Sequence, residues 1–414
     1  MFEILQYEYA SRALLASIMV GVTCGVLGCF VILRRMALIG DALSHAILPG
    51  VVAGFIFFGH NPLAMFIGAV LSGLFTSVVI TWIQRNSITK DDSSIGIVFT
   101  AMFALGIVGI SWITKREGVH LDMKDFLFGN VLGVTNQDLA LTYLIGTFVI
   151  ISIISFYKYF FVSTFDPIIA ATLGVSVALM HYFTMFLLSI TIVSSLQSVG
   201  VILVVAMLII PGSTAYLLTN KLTSMLLISA LVGALSAFLG LYIAIITELT
   251  PGPLMALSGT VFFISALLFS PKRGLLIKLV RNWIKKINIK EEDILKLIAN
   301  KTEQNQKTQI ADLKIISTNI IILNFIVKKL IKDDFINKIN DNFELTEKGN
   351  EKALQLVRAH RLWETYLSSK LGIPMDKVHS SAEEMEHIQK TEFWEQVNKD
   401  LGFPSTDPHG SPIP

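Results

Sequence analysis

The sequence predicts an all-α, polytopic membrane domain of about nine transmembrane helices, followed by a mostly α cytoplasmic domain. The first observation behind this prediction is the uneven distribution of charge. Of the 33 Lys and Arg and the 31 Asp and Glu residues, only 10 and 11 fall in residues 1–270, whereas 23 and 20 fall in residues 271–414. Soluble proteins contain about 25% charged residues. The first 270 residues are therefore too poor in charge for a soluble domain, and the last 144 are not.

The second observation is a series of long apolar segments. A bilayer core about 30 Å thick requires about 20 apolar residues per helix. We predict spans at 13–33, 38–58, 62–83, 93–114, 137–160, 174–195, 199–219, 222–247 and 252–270. The second and seventh spans are expected to be interrupted, at Gly40 and at Pro211-Gly212.

The basic residues in the short loops predict the orientation of the chain. Nine spans place the two ends on opposite sides of the membrane, and Lys and Arg concentrate in the cytoplasmic loops. With the C-terminus inside, the inner loops hold eight basic residues and the outer segments hold four. The N-terminus lacks the pattern of a signal peptide. We therefore expect a cytoplasmic C-terminal domain.

Two ionisable residues lie in the second span. Asp41 and His45, within GDALSHAILPG (40–50), are four residues apart and share one helix face. Such residues are costly in a membrane and are candidates for function; a carboxylate and an imidazole make half of a divalent-metal site. Alternatively, Asp41 caps a short helix and His45 bonds a backbone carbonyl. His181, alone on the sixth span, is interpreted as a hydrogen-bonded core histidine.

Five segments of the membrane domain occur in a recognisable order. They are RRMALIGDALSHAILPGVVAG (34–54), DDSSIGIVFT (91–100), DFLFGNVLGV (125–134), FDPIIAATLG (165–174) and LQSVGVILVVAMLIIPGSTAYLLT (196–219). With these motifs the domain resembles the membrane permeases of bacterial zinc, manganese and iron ABC importers. The resemblance implies a multi-pass protein of the bacterial cytoplasmic membrane that forms a homodimer or pairs with a sister permease. It further implies a separate ABC ATPase subunit, an extracellular or periplasmic metal-binding protein, and a metal path lined by Asp41 and His45.

The FDP segment is expected to contact the ATPase. The resemblance implies a cytoplasmic coupling helix that includes Phe165, Asp166, Pro167 and Gly174, although Ile168 stands where the family often has Glu. From the residues alone, Asp166 and Pro167 also fit an ordinary helix N-cap and first helical residue. The 414 residues contain no GxxxxGK[ST] phosphate-binding loop. We therefore expect a transport subunit that is not itself an enzyme, with ATP hydrolysis in a partner.

The charged second half follows the permease domain, which we place at 1–274. Residues 275–287, LLIKLVRNWIKKI, predict a basic amphipathic helix, and we assign 275–290 to a linker helix. Short helices at 291–300, 309–316 and 318–331 precede a predicted β-hairpin at 335–349, with its turn at Asp341-Asn342. Three helices and a hairpin predict a winged-helix-like domain at 291–357.

Histidine and glutamate recur at helical spacing in residues 358–414. His360 and Glu364 are four residues apart, as are His379 and Glu383, and Glu386 with His387 extends the second set. Each set lies on one helix face, where like charges repel. A bound cation would remove this repulsion, although a solvated acidic face with scattered histidines also explains the pattern.

The segments RAHRLWETYL (358–367), DKVHSSAEEMEH (376–387) and DPHGSPIP (407–414) resemble a known family. They are similar to the iron- and manganese-dependent repressors of the diphtheria toxin repressor type, over about residues 290–414. The resemblance implies one metal at His360, Glu364 and His379, and a second at Glu383, Glu386 and His387, with Asp293 the nearest match to a further ligand. Glu383 stands where iron-type members have Cys, and hard oxygen ligands favour manganese or iron over zinc. We therefore expect a metal-binding and dimerisation domain at 358–414.

The winged helix is not expected to read a DNA sequence. Residues 271–357 carry 17 basic and 11 acidic residues, a net charge that permits phosphate contacts. Base reading requires polar side chains on the recognition helix. That helix is nearly all apolar, and the only residues that qualify are Ser317, Thr318, Asn319 and Asn324. We therefore expect this helix to have a structural role rather than to bind a specific DNA sequence.

Two other functions remain open at the level of the sequence. A membrane-tethered, metal-dependent transcription regulator would bind operator DNA through residues 288–414 only with Mn²⁺ or Fe²⁺. A metal carrier that works without ATP would need no ATPase partner. The sequence also leaves open which metal is transported and whether the second half regulates transport, for which feedback inhibition is the simplest mechanism.

Overall fold

The computed structural model describes residues 8–59, 61–117, 131–374, 378, 382, 383, 385, 387 and 391–414. The chain divides into two compact units, one ending at Lys278 and the other beginning at Leu279. Both units are mainly helical, and the strands in the described residues belong to one small sheet and one isolated bridge in the second unit. The expected all-α membrane domain followed by a mostly α domain is therefore confirmed.

The first unit contains twelve α-helices and one short 3-10 helix, Val131–Gly133, among the described residues. The α-helices are α1 (Glu8–Leu33), α2 (Leu38–Ala46), α3 (Leu48–Phe58), α4 (Pro62–Asn86), α5 (Asp91–Glu117), α6 (Asn136–Ser155), α7 (Tyr157–Phe165), α8 (Pro167–Thr172), α9 (Val177–Val199), α10 (Val201–Leu218), α11 (Leu222–Thr247) and α12 (Pro251–Phe269). Within the described part of the chain, nine helical segments are long and apolar enough to cross a membrane, with α2 and α3 together forming one of them. This number agrees with the nine spans expected from hydropathy.

Helix α1 lies at the centre of the first unit. It packs against α6, α9, α10 and α11, and its inward residues are buried, including Val20, Leu27 and Phe30. A Cβ atom added to Gly21 would lie 2.6 Å from the backbone oxygen of Gly233 in α11. Glycines at this crossing therefore let the two backbones approach closely, which is how membrane helices gain packing contacts without a hydrophobic driving force.

The two predicted helix interruptions are corrected by the structure. The second span breaks at Ile47, not at Gly40, which lies inside α2. Pro49 causes the break, because proline lacks the N–H that would continue the helical hydrogen bonds and is tolerated only in the first turn of the next helix. The seventh span is not broken: α10 continues through Pro211 to Leu218.

The second unit combines five helices and three strands among the residues that the structure describes, and the first of these helices begins at Leu275, before the boundary between the units. They are α13 (Leu275–Glu303), β1 (Thr308–Gln309), α14 (Ile310–Leu313), α15 (Ile320–Lys332), β2 (Ile336–Ile339), β3 (Asn342–Leu345), α16 (Glu347–Leu371) and α17 (Thr391–Asp400). The sheet is antiparallel with the order β1-β3-β2. The apolar core of this region includes Ile294, Ile298, Leu323, Ile326 and Phe343. Its three helices followed by the β2–β3 hairpin have the order predicted for a winged helix.

Three local predictions for this unit are corrected. The linker helix and the first helix of the winged helix are one continuous helix, α13, because residues 275–303 contain neither proline nor an internal glycine. The predicted helix at 309–316 is reduced to Ile310–Leu313. The hairpin turn lies at Asn340-Asp341, since Ile339 pairs with Asn342 and Asn340 takes a positive φ of 56°.

Candidate functional sites

The first candidate site is the pair formed by Asp41 and His45 on α2. Their i, i+4 spacing brings His45 Nε2 to 3.7 Å from Asp41 Oδ1. The Asp41 side chain is half exposed and His45 is largely covered. The Nδ1 atom of His45 is buried and has no hydrogen-bond partner among the described residues, and its ring lies near Phe99 and Phe103, with centroids 5.6 and 5.2 Å away. The two side chains are therefore close enough to contact one ligand together, through His45 Nε2 and the Asp41 carboxylate.

Asp41 and His45 line a cavity of about 440 Å³. The rest of its lining is one apolar face of α10, made by Val201, Ile202, Val205, Ala206, Ile209 and Ile210. The pair thus supplies the polar ligands in an otherwise hydrophobic wall. Two protein ligands bind a divalent cation weakly, and a transport path requires binding that is strong enough for entry and weak enough for release.

The broken span positions this pair. Because Gly50 N bonds Ile47 O at 3.0 Å, the carbonyl of Ala46 lacks its usual helical donor. Ser72 of α4 donates to that oxygen at 2.7 Å, which anchors the end of α2 to the neighbouring helix. Ser72 was not identified from the sequence, because the contact joins residues 26 positions apart.

The FDP segment forms a capped, exposed helix. Asp166 accepts a hydrogen bond from Ile169 N at 2.9 Å, and Pro167 is the first residue of α8. Gly174 ends the segment with φ at 77°, a backbone conformation that glycine adopts without strain. Phe165, Ile168, Ile169 and Leu173 are all more than half exposed. The segment is therefore an N-capped helical turn that presents apolar side chains at the surface of this unit.

Arg34 is a functional candidate that the sequence analysis missed, although it begins the motif around Asp41. Its guanidinium donates to three hydroxyl groups: Nε to Thr164 at 3.2 Å, Nη1 to Thr184 at 3.2 Å and Nη2 to Ser163 at 3.1 Å. Ser163 and Thr164 lie in α7, immediately before the FDP segment. Arg34 thus connects the region between α1 and α2 to the helix that leads into α8.

His181 has the structural role that was expected. Its Nε2 atom lies 2.9 Å from Thr81 Oγ1, and the ring is in edge contact with Tyr182. It is not part of the cavity beside Asp41. His181 is therefore a hydrogen-bonded core histidine.

In the second unit, His360 and Glu364 form a buried pair on α16. His360 Nε2 lies 3.1 Å from Glu364 Oε1, and the two side chains are 7% and 3% exposed. The other ring nitrogen, Nδ1, lies 3.2 Å from Lys296 Nζ of α13. His379, the third expected ligand of this set, lies outside the described residues. No local sequence pattern indicates this lysine, because it is 64 positions from His360.

The second set is centred on His387. Its Nδ1 atom lies 2.7 Å from Glu292 Oε2, and its Nε2 atom lies 3.3 Å from Asp293 Oδ1. Glu292 is buried and also lies 3.3 Å from Lys352 Nζ. Asp293 was named as a further ligand, whereas Glu292 was missed; the acidic run at 291–293 was the available signal. Glu383 is exposed, and Glu386 lies outside the described residues.

The side chains around His387 have the atom types that bind a divalent metal. Carboxylate oxygens of Glu292 and Asp293 lie against the imidazole of His387, and manganese accepts such ligands. In the described residues, no group of three or more His, Cys, Asp or Glu has an arrangement that could hold a metal ion.

Comparison with known proteins agrees with this division of the chain. Residues 6–270 match the model of the ABC 3 transport family, and residues 346–414 match the model described as "Iron dependent repressor, metal binding and dimerisation domain". The resemblance to these two groups is thus confirmed.

Individual relatives extend the comparison. The manganese transport system membrane protein MntC of Halalkalibacterium halodurans is 49% identical over 274 residues, covering 66% of this chain and 91% of that protein. MntC of Bacillus subtilis is 34% identical over 377 residues, covering 89% of this chain and 86% of that protein. The solved structure of PsaBC from Streptococcus pneumoniae in complex with Fab matches with a TM-score of 0.59 and 40% identity, covering 65% of this chain and 95% of that chain. By the match over residues 6–270, this multi-pass membrane protein belongs to the ABC 3 transport family.

Proposed function

We propose that the chain is the permease subunit of an ABC importer for Mn²⁺. The Asp41–His45 pair, facing a cavity that is otherwise apolar, is the observation that carries the proposal, since it offers a divalent cation its only polar ligands on that wall. The names of the similar transport proteins favour manganese over zinc or iron. An extracellular binding protein delivers the metal, and a second permease, either a copy of this chain or a sister chain, completes the path.

The energy for import comes from a separate ATPase in this proposal. The coupling residues are Phe165, Asp166, Pro167 and Gly174, because the α8 segment presents exposed apolar side chains on a short, capped helix. The eight-to-four distribution of basic residues supports a cytoplasmic position for this segment and for the second unit. The ATPase therefore docks on the same side of the membrane as the second unit.

The second unit acts as a cytoplasmic metal sensor and dimerisation domain. His387, Glu383 and Glu386, with Glu292 and Asp293, are the proposed ligands of an intracellular Mn²⁺ ion. Metal binding at this set changes transport only if the two states of the transporter differ in their affinity for the ion. Inhibition by accumulated Mn²⁺ is the expected direction.

Sequence-specific DNA binding is disfavoured by the surface of the recognition helix. Ile320, Ile321 and Phe325 of α15 are more than half exposed. Two of the four polar candidates already have structural roles: Ser317 accepts a hydrogen bond from Lys290, and Asn319 caps α15. A tethered transcription regulator is therefore the weaker proposal.

The test of the transport proposal is uptake of radioactive Mn²⁺ by cells that lack their own importer and express this chain with its ATPase and binding protein. Asp41→Asn and His45→Gln should each abolish uptake without lowering the amount of assembled complex. His181→Gln is the matched control, because it changes a membrane histidine outside the cavity. Wild-type uptake in both site variants would exclude this path, and uptake without the ATPase would favour a simple carrier.

A further inference from the structure

The second unit contains a cation of its own at one of the two expected metal sites. His360 and Glu364 lie one turn apart on α16, and both are almost completely buried. Lys296 reaches the same imidazole from α13, 64 positions away in the sequence. A buried charge requires a partner, and here a lysine, an imidazole and a carboxylate meet within hydrogen-bonding distance.

The donors and acceptors of these groups determine which ring nitrogen of His360 carries the proton. A lysine ammonium has three donors and no acceptor. At 3.2 Å from Lys296 Nζ, His360 Nδ1 must therefore accept a hydrogen bond. The proton of the neutral ring is then on Nε2, which donates to Glu364 Oε1 at 3.1 Å. Lys296, His360 and Glu364 therefore form a consistent chain of donors and acceptors.

A histidine that binds a metal needs a different distribution of its ring proton and lone pair. A histidine that binds a metal through one nitrogen carries its proton on the other, which donates to an acceptor such as a carboxylate or a carbonyl. At His360 the lone pair of Nδ1 is directed to an ammonium and Nε2 carries the proton, so neither nitrogen is free for a cation. The described residues of this site, Lys296, His360 and Glu364, therefore do not fit a divalent metal.

The set around His387 differs in this respect. Lys352 contacts the carboxylate of Glu292 rather than the imidazole, and about a third of its side chain is exposed. Both nitrogens of His387 face carboxylate oxygens. This set thus offers acidic and imidazole ligands to a cation, with a lysine that can turn into solvent.

We infer that the Lys296 ammonium replaces the divalent cation at the His360–Glu364 pair, so that the second unit takes a metal only at the His387 set. The inference does not depend on the transport function. It reduces the two metal sites expected from the sequence to one and makes the contact between α13 and α16 independent of metal supply.

The experiment counts Mn²⁺ ions bound by the full-length chain in detergent, by equilibrium dialysis and elemental analysis. Wild type and His360→Gln should bind the same number, because His360 holds no metal. Lys296→Gln should bind one additional Mn²⁺ per chain, since the glutamine oxygen can accept the Nδ1 proton and release Nε2. The double variant Lys296→Gln/His360→Gln should return to the wild-type number.

Lys301→Gln is the matched control, because Lys301 is also on α13 but pairs with Asp312; it should leave the number unchanged. If His360→Gln alone lowers the wild-type number by one ion, His360 binds metal and the inference is wrong. This comparison does not require the Lys296 variant to fold. If Lys296→Gln folds and binds no additional Mn²⁺, the lysine does not occupy the position of a metal ion and the inference is also wrong.

Discussion

Arg34 Nη2 lies 3.1 Å from Ser163 Oγ, and this contact joins the end of the first membrane helix to the helix that precedes Asp166. The same guanidinium also reaches Thr164 and Thr184. Arginine can bond several partners at once because its donors are held in a rigid plane. The region that carries Asp41 and the segment proposed to contact the ATPase are therefore linked through one side chain.

We expect Arg34→Lys to uncouple ATP hydrolysis from transport. A lysine keeps the positive charge but cannot hold three hydroxyl groups in a fixed geometry. In proteoliposomes with the ATPase and binding protein, Mn²⁺ uptake should fall at least tenfold while ATP hydrolysis continues. Arg35→Lys is the control, because Arg35 makes none of these three contacts. Equal uptake per ATP in wild type and Arg34→Lys would contradict a coupling role.

ATP hydrolysis should require a separate subunit that docks on α8. Leu173 is 66% exposed, and an aspartate there would place a charge in the apolar contact. Leu173→Asp should abolish co-purification with the ATPase and the hydrolysis that depends on it. Ile315→Asp is a suitable control, since Ile315 is also largely exposed but lies in the second unit. Hydrolysis by the purified chain alone, or full association of the Leu173 variant, would be incompatible with this prediction.

Internal Mn²⁺ should inhibit transport through the His387 set. Membrane vesicles loaded with Mn²⁺ should import more slowly than empty ones, and a Glu383→Ala/His387→Ala variant should lose this response. A coupling free energy of about 1–3 kcal/mol is ordinary for allostery and corresponds to a change of roughly 5- to 150-fold. Glu395→Ala changes another exposed acid of the same unit and should respond like wild type. The sensor assignment is wrong if wild type and double variant respond identically.

Gly50→Ala should destabilise the membrane unit. A Cβ atom on Gly50 would overlap the backbone oxygen of Gly68 where α3 crosses α4, and overpacking typically costs about 1–3 kcal/mol. The variant should have a lower midpoint of thermal unfolding in detergent. Gly96→Ala is the control for a glycine-to-alanine change away from a helix crossing, because a Cβ at Gly96 meets no atom within 4 Å. Similar midpoints for both variants would argue against the close crossing.

Asp312 should stabilise the winged helix in a pH-dependent manner. The hydrogen bond from Lys301 Nζ, at 2.7 Å, and that from Gln309 N, at 2.8 Å, lower the pKa of this carboxyl below its ordinary value of 3.8. Because the folded-state pKa is the lower one, the stabilisation is present above the unfolded-state pKa and is lost as the pH falls through the folded-state pKa. Asp312→Asn should therefore destabilise the fold at pH 7 and differ little from wild type in strong acid.

Hydrogen exchange of the amides in residues 305–316 measures this effect locally, with both proteins compared at the same pH. At pH 7 the variant should exchange faster than wild type, and the difference should shrink as the pH falls below the ordinary value. Lys301→Gln should produce a change of the same sign, and combining it with Asp312→Asn should add little. Additive effects would show that the two side chains do not act as a pair.

The sequence by itself determined the features that depend on local order. The nine spans follow from hydropathy within windows of about 20 residues, and the pairing of Asp41 with His45 follows from the repeat of a single helix. The cap formed by Asp166 and Pro167 is local as well. The sequence did not determine whether a proline interrupts a span, because Pro49 follows a break whereas Pro211 lies inside a continuous helix. The packing around each residue decides whether the lost hydrogen bond is tolerated.

Only the tertiary structure decided which distant side chains meet. Lys296 contacts His360 across 64 positions, and Glu292 contacts His387 across 95. Neither the helical repeat nor the composition encodes such distances, because they depend on how α13 packs in the second unit. The motif around His360 therefore predicts a metal ligand. In the structure, however, both ring nitrogens make hydrogen bonds, one with the Lys296 ammonium and one with Glu364. The identity of the cation at that site is a property of the fold, since the group that supplies it comes from another helix.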